Sequence, residues 1–599
     1  MRHTQQQPDN DDTNERRPLL SPRTPSAWSI TITALGLDQD KPSFEEIAAC
    51  TQADKLEEEK EERWFAELKR RPWRNRPSTL WIGPWLLLFG LILGMCLAPL
   101  ERLKAEVICA DILSDPDNGL YLGQGNFDNL AVNGGGGDPC QTETVLAVIH
   151  LLEGRMRTMT GFGMLLSLAK WCSTSDIYGR KLLLQVGLAG IATCVMIGWF
   201  AASRYNQFGS NVYYLEVVAL TLMPAGQVIN TAIFAYIADV TEKQNRSLIC
   251  GYLVTSMALG GLTGSTISTY IWTATGDLTV PLRITLILIA LLAVYISILP
   301  ESLRYSPASS LCISSGIDDA SGRGVPDSTA TSPWAIWNFF NLAKEATCMI
   351  FDPILLILPG RVPKSAHMAL SAAPAIILLV RVLTFTANYG ANSLLFSMAK
   401  LVFHWNVYED GHYHAFVQLC VFITFLGIFP ALLSIYKAVV MKTEETEELC
   451  GSNDSSRPQE SLLHHSSDLP LTGISAVKMD MFFIVFGLCI MIFGFLIVPI
   501  FPSIPALYLA GATNSLAAIS SVSCIAVMSS IVPSDMIGAA YGAYSVSEGL
   551  GGVIADFTYG SLFVKTMKTS PIFYYYVSAG LCTIALFAQL INWSSYRRK

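Results

Sequence analysis

Asp176-Ile177-Tyr178-Gly179-Arg180-Lys181 is a short polar turn between two long apolar runs of the sequence. Such a turn cannot lie in hydrocarbon, because its backbone groups would be left without hydrogen-bond partners. It must therefore face water at one surface of a membrane. Arg180 and Lys181 favour the cytoplasmic surface, since short basic loops stay on that side. The turn thus predicts a chain that crosses a membrane repeatedly.

The composition agrees with this prediction. Of the 599 residues, 51% are hydrophobic and only 15% are charged, a balance too apolar for a soluble protein. The net charge is −8, and the basic residues are not gathered into one patch, which argues against binding of nucleic acid. The sequence contains no Cys/His spacing suited to a metal, no nucleophile–base pair and no phosphate-binding Walker loop. It therefore predicts neither an enzyme nor a cofactor or metal site.

Apolar runs long enough to cross a bilayer, which takes ~20 helical residues, occur twelve times. They lie at 80–99, 149–171, 182–202, 213–237, 248–272, 279–299, 368–391, 414–436, 480–500, 504–530, 537–562 and 572–592. The even number and the basic loops place both termini in the cytoplasm. The predicted fold class is an all-α membrane protein with twelve transmembrane helices in two six-helix bundles.

The polar segments divide the chain into parts. The predicted parts are a cytoplasmic tail at 1–79, a first bundle at 80–302, a cytoplasmic linker at 303–365 with an interfacial helix at 334–358, a second bundle at 366–592 with a cytoplasmic insertion at 441–478, and a tail at 593–599. The loop at 100–143 is predicted to lie outside. Cys109 and Cys140 belong to it, and either a disulfide or two unpaired thiols fits this position.

The N-terminal tail carries two further patterns. Glu15 to Leu20 resembles an acidic dileucine sorting signal, which hints at a vacuolar membrane, although a plain disordered tail explains it as well. The plasma membrane is the first predicted location and the vacuolar membrane the second. A charged amphipathic helix is predicted within residues 54–71, with Trp64 and Leu68 on its sparse apolar face.

Twelve spans, a central cytoplasmic linker and the basic turn together resemble the major facilitator superfamily of secondary transporters. The turn motif of that family is written G-x-x-x-D-[R/K]-x-G-[R/K]-[R/K]. The residues that match it are Asp176, Gly179, Arg180 and Lys181, and those that depart from it are Cys172 and Ile177. The resemblance covers residues 80–592 and implies two bundles that rock about a central site.

Three other stretches bear on the subgroup. The ends of spans four (236–241) and six (299–304) resemble the superfamily, and 545–551 in span eleven resembles drug-resistance-type and proton-coupled folate transporter-like carriers. In span five, Gly251, Gly260 and Gly264 fit the spacing of the antiporter motif. Ser265 replaces its proline, however, and this departure weakens the prediction of proton antiport.

The resemblance implies a conformational latch at the turn. Asp176 would lie against the start of span eleven, near residues 534–536, where unpaired backbone N–H groups stabilise a carboxylate. Arg180 would pair with Asp239 beneath the bundle, and Arg246 follows in the same region. The alternative is that Arg180 and Lys181 only set the topology.

Two ionisable residues fall near the centre of predicted spans, Arg381 in span seven and Glu548 in span eleven. Ionisable groups at this depth are costly and therefore mark functional hypotheses. The resemblance places both spans in one bundle, which allows an ion pair. In one hypothesis Glu548 takes up and releases the coupling proton while Arg381 holds it ionised when paired. A fixed structural ion pair is the alternative.

Polar and aromatic residues within other spans are candidates for a substrate cavity. They are Gln227, Asn230, Asn514, Tyr541 and Tyr544, with Ser520 and Ser521 beside them in span ten. Each could equally hold helices together. Glu153 and Arg157 are spaced to pair on one helix face, and we predict that they form a solvated rim at the outer end.

The sequence thus favours a proton-coupled exporter of a small organic molecule, such as a drug or secondary metabolite, in a fungal-like membrane. An uptake carrier for a nutrient or metabolite remains open because span five departs from the antiporter motif. A non-transporting receptor or scaffold is the alternative from another class, permitted by the long cytoplasmic insertions. The expected partners are the substrate, protons and the lipid bilayer, and the expected state is a monomer without cofactors.

Overall fold

The computed structural model describes residues 62–114, 143–242, 245–303, 373–405, 407–439, 473–532 and 537–597. Within these ranges every regular element is a helix. Six helical spans form the first half: α1 (Thr79–Ser114), α2 (Glu143–Tyr178), α3 (Arg180–Phe208), α4 (Tyr213–Leu222 and Ala225–Val240), α5 (Arg246–Thr275) and α6 (Thr279–Ile298). Each coincides with a predicted span.

Six more form the second half: α7 (Ala373–Phe403), α8 (Val407–Ile423, continued through a π-helical segment at Thr424–Ile428 to residue 439), α9 (Gly473–Ile500), α10 (Ile504–Ala517 and Ile519–Ile531), α11 (Ile537–Thr566) and α12 (Phe573–Arg597). Among the described residues, ten spans are long and apolar enough to cross a membrane. The other two, α2 and α11, are equally long but richer in charged and small residues.

These two polar helices pack against each other and join the halves. Small residues allow the close approach, because a Cβ added at Gly161 would lie 2.5 Å from Val553 and one at Gly542 would lie 3.0 Å from Cys172. The helices α5 and α8 form the second long contact between the halves. Polar side chains that would be costly against lipid are thereby placed inside the protein.

Glycines on α1 and α5 let these helices touch backbone to backbone. A Cβ at Gly260 would lie 2.0 Å from the carbonyl oxygen of Leu87, and one at Gly90 would lie 2.1 Å from that of Met257. The antiporter-like glycine spacing of span five therefore has a packing role. The helix runs without interruption through Ser265, where that motif has its proline.

The fourth span is broken, although the sequence predicted one continuous helix. Met223 and Pro224 leave the helical conformation, because proline lacks the N–H that would continue the ladder. The indole of Trp171 donates to the freed carbonyl of Leu222 at 3.0 Å. The break lies between the two segments of α4 and is supported by α2.

The described helices begin and end at two opposite ends of the bundle. We call the end with the turn at Gly179 the Gly179 end, and odd-numbered helices begin there. A large cluster of buried apolar residues joins the two halves at this end, and its members include Ile82 of α1 and Tyr544 of α11. The halves are therefore in contact at the Gly179 end.

A short helix at residues 62–70 precedes α1 at the Gly179 end. The indole of Trp64 donates to the backbone carbonyl of Asp239 at 3.0 Å, and Leu68 is buried. The sparse apolar face predicted for this segment thus docks on the end of α4. The predicted linker helix at 334–358 and the insertion at 441–478 lie outside the described residues, apart from the start of α9.

Candidate functional site

Arg381 of α7 and Glu548 of α11 form an ion pair inside the second half. Arg381 Nε donates to Glu548 Oε1 at 2.9 Å, and Nη2 donates to the same oxygen. The side chains are 14% and 5% exposed. A pair this buried is favourable only if further hydrogen bonds satisfy it, and Arg381 Nη1 donates to Ser521 of α10 at 2.8 Å. The pair therefore connects three helices.

Two aromatic rings cover the Arg381 guanidinium. Its central carbon lies 5.1 Å from the ring centroid of Tyr544 and 5.4 Å from that of Phe385. The negative face of an aromatic ring attracts a cation at such distances. The rings thus add to the three hydrogen bonds that hold the charge of Arg381 in place.

The helix that carries Glu548 also touches the first half directly. Ser545 and Thr231 of α4 share a hydrogen bond of 2.6 Å, and the rings of Tyr541 and Phe234 lie 6.1 Å apart. These contacts are within two turns of Glu548 along α11. A movement of α11 that follows a change at Glu548 would therefore reach the interface between the halves.

A second buried ion pair lies at the Gly179 end of the first half. Arg180 Nε lies 3.3 Å from Asp239 Oδ2, and the side chains are 5% and 3% exposed. Arg180 Nη1 donates to Ser175 Oγ at 2.5 Å, and Ser302 Oγ donates to the same Asp239 oxygen at 3.4 Å. The structure thus brings together Arg180 and Asp239, as the sequence suggested.

Glu301 closes the turn from the end of α6. Its carboxylate accepts from the backbone N–H groups of Arg180 at 2.8 Å and Lys181 at 3.2 Å. The start of α3 leaves these N–H groups without intrahelical partners, and the carboxylate satisfies them. Gly179 has φ of +102°, and a Cβ there would lie 2.5 Å from Glu301. The turn therefore requires glycine at this position.

Residues 150–443, about half of the chain, match the family model of the Major Facilitator Superfamily. The human organic anion transporter MFSD10 (TETRAN) superposes with a TM-score of 0.56 over 87% of this chain and 100% of that one, at 16% identity. The chain has the major facilitator fold. The predicted fold class is thereby confirmed, and the family match supports a multi-pass membrane transporter.

Other relatives are more distant or shorter matches. The proton:xylose symporter XylE aligns at 13% identity with a TM-score of 0.47, over 86% of this chain and 95% of that one. The Hippocampus abundant transcript 1 proteins of Mus musculus and Homo sapiens are 28% identical over 178 residues, which is 28% of this chain. The chain covers about a third of the length of these two proteins, since the alignment spans 34% of each.

The major facilitator fold places the remaining latch residues at one end. Arg246 is buried at the start of α5 and donates to Ser529 of α10 at 2.9 Å and to Ala238 of α4 at 3.1 Å, in both cases to the backbone carbonyl. It thus bridges the two halves, a role that its sequence position did not reveal. The side chain of Asp176 and residues 534–536 lie outside the described residues, and the Asp176 latch stays a prediction.

The predicted cavity residues do not form one group in this fold. Tyr541 and Tyr544 are buried beside the ion pair, and one side-chain oxygen of Gln227 is buried without a hydrogen-bond partner in the described part of the chain. Asn230 is half-buried on the same α4 segment. Asn514 instead faces α9. Its side-chain oxygen lies 2.9 Å from the position that a Cβ would take at Gly494. This contact fits the alternative role of holding helices together, and the assignment of Asn514 to the cavity stays a prediction.

At the opposite end, charged residues gather between the halves of the major facilitator fold. Arg157 lies 3.6 Å from both Glu153 of α2 and Glu101 of α1. Asp556 of α11 also acts on the charge of Arg157, so the predicted rim pair belongs to a larger cluster. Cys109 is buried on α1 and is disulfide-bonded. Cys140, its predicted partner, lies outside the described residues.

A cavity of about 170 Å³ lies between α1, α5 and α8. Glycine, hydroxyl and apolar residues line it, and two larger polar side chains, His414 and Gln418, reach it from α8. Drug-sized ligands fill pockets of about 300–1,000 Å³, so this cavity would have to widen to hold one. Neither residue carries a clear sequence signal, because His414 follows the polar stretch 409–412 and Gln418 stands alone in an apolar run.

Proposed function

We propose that this protein is a proton-coupled exporter of small organic molecules, such as drugs or secondary metabolites, that works by alternating access. The observation that carries the proposal is the buried pair of Arg381 and Glu548. Burial of an ion pair in the core of a helical bundle contributes little to net stability compared with apolar packing. Ionisable groups inside a membrane bundle therefore suggest work on protons or charged substrates.

In the proposed cycle Glu548 binds the coupling proton. A neutral Glu548 no longer attracts Arg381, whose guanidinium then needs another anionic partner. A negatively charged group of a substrate could take that place, with the rings of Tyr544 and Phe385 holding the cation in position. Release of the proton would restore the ion pair and expel the substrate group. Proton and substrate would thus compete for one pair of residues.

The contacts of α11 would pass this local change to the two halves. Ser545 and Tyr541 touch α4 on the helix that carries Glu548. Reorientation of Glu548 is expected to weaken or strengthen these contacts, and the halves would rock in response.

Glu548→Gln tests the proton role directly, because it keeps the shape of the side chain and removes the titratable group. The purified protein is placed in liposomes containing a pH-sensitive dye, and a panel of fluorescent organic anions and cations is offered at several pH gradients. We expect uncoupled substrate movement and loss of proton flux in the variant. Glu153→Gln is the matched control, since Glu153 also faces an arginine from a helix.

Proton-coupled transport that survives intact in Glu548→Gln would contradict the proposal and favour a fixed structural pair. Expression and monodispersity of each variant are measured first, so that misfolding is not mistaken for lost coupling. Organic anions lead the panel for two reasons. Arg381 provides a cation inside the bundle, and one solved relative with this fold is named an organic anion transporter.

Uptake of a nutrient or metabolite is the second candidate, and one observation favours it. The helix α5 runs straight through Ser265, and its glycines serve contact with α1. The direction of substrate movement relative to the proton gradient separates uptake from export. A protein that carries neither substrate nor protons in the same liposomes would be a receptor or scaffold.

For location, we propose the plasma membrane first and the vacuolar membrane second, with both termini and the Gly179 end in the cytoplasm and the chain acting as a monomer. The basic turn at Arg180 and Lys181 supports this orientation. Protease protection of terminal epitope tags in sealed vesicles tests it.

A further inference from the structure

Asp480 is a buried carboxyl group that the proposed transport cycle does not use. It lies near the start of α9, at the Gly179 end, and the residue is only 3% exposed. One carboxyl oxygen, Oδ1, has no hydrogen-bond partner within the described ranges. A buried polar atom in this condition requires an explanation.

The groups around Asp480 come from three other helices. The hydroxyl of Ser247 on α5 is within hydrogen-bonding reach of the carboxyl group. Cys250 of α5, Tyr436 of α8 and Cys524 of α10 are the titratable groups that sense its charge. None of these groups is a cation.

Nearby basic residues are directed elsewhere. Arg246 precedes Ser247, but its guanidinium donates to backbone carbonyls, including that of Ser529. Lys437 lines the neighbouring cavity and Lys478 is exposed. Within the described part of the chain, no basic side chain forms an ion pair with Asp480. An ionised carboxylate at this site would therefore be buried without a counter-charge, which is strongly unfavourable.

The position of Asp480 ties it to the contact between the halves. Ser247 belongs to the first half and Asp480 to the second. A cavity of about 170 Å³ lies between the two halves here, with Ser247 and Tyr252 on one side and Ser434, Lys437 and Met479, the residue before Asp480, on the other. Separation of the halves at the Gly179 end would open this cavity and admit water to the carboxyl group.

We propose that Asp480 is a proton-binding site that keeps the Gly179 end closed while it is protonated. In the closed arrangement the neutral carboxylic acid is buried against Ser247. When the halves separate, water solvates the group, its O–H bond breaks and the proton passes to water. High proton concentration on this side would favour closure. The inference concerns conformation and does not depend on Glu548 carrying a proton.

Infrared spectroscopy of the purified full-length protein in lipid nanodiscs tests the protonation state. We expect the carbonyl band of a protonated carboxylic acid at neutral pH in the wild type, its loss in Asp480→Asn, and its retention in Glu548→Gln. A wild-type minus Asp480→Asn spectrum without a carboxylic acid band would overturn the proposal. Transport is not measured, so this outcome is separate from the fate of the proposed function.

Ser247→Ala gives a second test that does not require Asp480→Asn to fold. Removal of the hydroxyl should shift the frequency of the acid band because a hydrogen bond to the carboxyl group is lost. An unshifted band would show that the acid seen in the spectrum is not Asp480. The matched control is Ser256→Ala, which removes an exposed hydroxyl from the same helix.

Labelling of Cys250 reports the closure itself. Cys250 is buried one turn after Ser247, and mass spectrometry can follow its alkylation separately from that of other cysteines. Each labelling rate is first divided by the rate of the same variant after denaturation at the same pH, which removes the intrinsic pH dependence of the thiol, and the wild-type and Asp480→Asn values are then compared as a ratio. We expect this ratio to rise with pH by up to about tenfold per unit, the limit for one titrating proton. A ratio that is constant with pH would overturn the gating role.

Discussion

Two buried pairs of arginine and carboxylate lie in the two halves of the molecule, and they are held differently. Arg180 and Asp239 sit at the Gly179 end, where Ser175 and Ser302 add side-chain hydrogen bonds. The pair of Arg381 and Glu548 lies within the helices of the second half. It has one further hydroxyl partner, Ser521, and aromatic rings beside the cation.

The difference separates two uses of the same chemistry. In the Arg180 pair the cation and the carboxylate each have a hydroxyl partner of their own, and such a network loses much when one member is removed. In the Arg381 pair the hydroxyl partner is on the cation, and Glu548 is held by Arg381, so the carboxylate can leave at lower cost. We therefore interpret the Arg180 pair as a structural clasp of the first half and propose the Arg381 pair as the movable element. Their response to substitution should differ accordingly.

Arg180→Ala should have the largest effect. It leaves Asp239 buried without its counter-charge, which typically costs about 3–5 kcal/mol. We expect a lower apparent melting temperature of the detergent-purified protein and reduced insertion yield. Lys181→Ala is the control, because the Lys181 amine donates to the exposed backbone carbonyl of Ser297 and not to a buried carboxylate. Equal melting temperatures for the two variants would contradict the clasp.

Gly179→Ala should come next. The new Cβ would approach the Glu301 carboxylate at 2.5 Å while φ stays at +102°. A non-glycine residue in such a backbone region costs about 1–3 kcal/mol. Gly276→Ala is a matched control, because Gly276 also has positive φ, at +70°, but open space around its Cβ position. A stability loss no larger than that of the control would show that the Glu301 side chain can move away from the new Cβ without cost.

Arg381→Ala should destabilise less than Arg180→Ala, although both remove a buried guanidinium. The proposed cycle already includes a neutral Glu548 separated from Arg381, so the expected cost is that of lost hydrogen bonds, about 1–3 kcal/mol. Substrate transport in liposomes should nevertheless be abolished. A melting temperature as low as that of Arg180→Ala would place both pairs among structural clasps and remove the contrast.

The sequence anticipated the parts of this arrangement that depend on single helices. Span limits follow from apolar length, and the basic turn follows from residues that cannot lie in lipid. The meeting of Arg381 with Glu548 was open to inference because intramembrane charges seek partners. The break in α4 carried a local signal, Pro224, which the apolar length of the span concealed.

Contacts between helices were harder to infer. Nothing in the sequence shows that Glu301 closes the turn, that Arg246 reaches across to Ser529, or that Asn514 faces α9. Each depends on the rotation of one helix against another, which packing of many side chains decides. Asp480 was overlooked for a related reason. It stands at the limit of an apolar run, where an acidic residue is ordinarily solvated, and it is buried by the packing of several neighbouring helices.

The smallest predicted effect concerns the link between the movable pair and the first half. Thr231 and Ser545 share a hydrogen bond of 2.6 Å between α4 and α11. Such bonds inside membrane proteins contribute about 0.6 kcal/mol on average, so Thr231→Val and Ser545→Ala should barely change the melting temperature. The effect should appear instead in the balance between open and closed arrangements. That balance can be followed by Cys250 labelling, which does not require a known substrate.

A double-mutant cycle decides whether this bond transmits the change at Glu548. Labelling is compared in Ser545→Ala, Glu548→Gln and the double variant, with Thr558→Ala as a control for loss of an exposed hydroxyl on α11. If the bond carries the signal, Glu548→Gln alters Cys250 labelling only while Ser545 is present, and the effects are not additive. Additive effects would mean that the ion pair acts through other contacts of α11, such as the ring of Tyr541 against Phe234, and the contrast between clasp and movable pair would stand without this link.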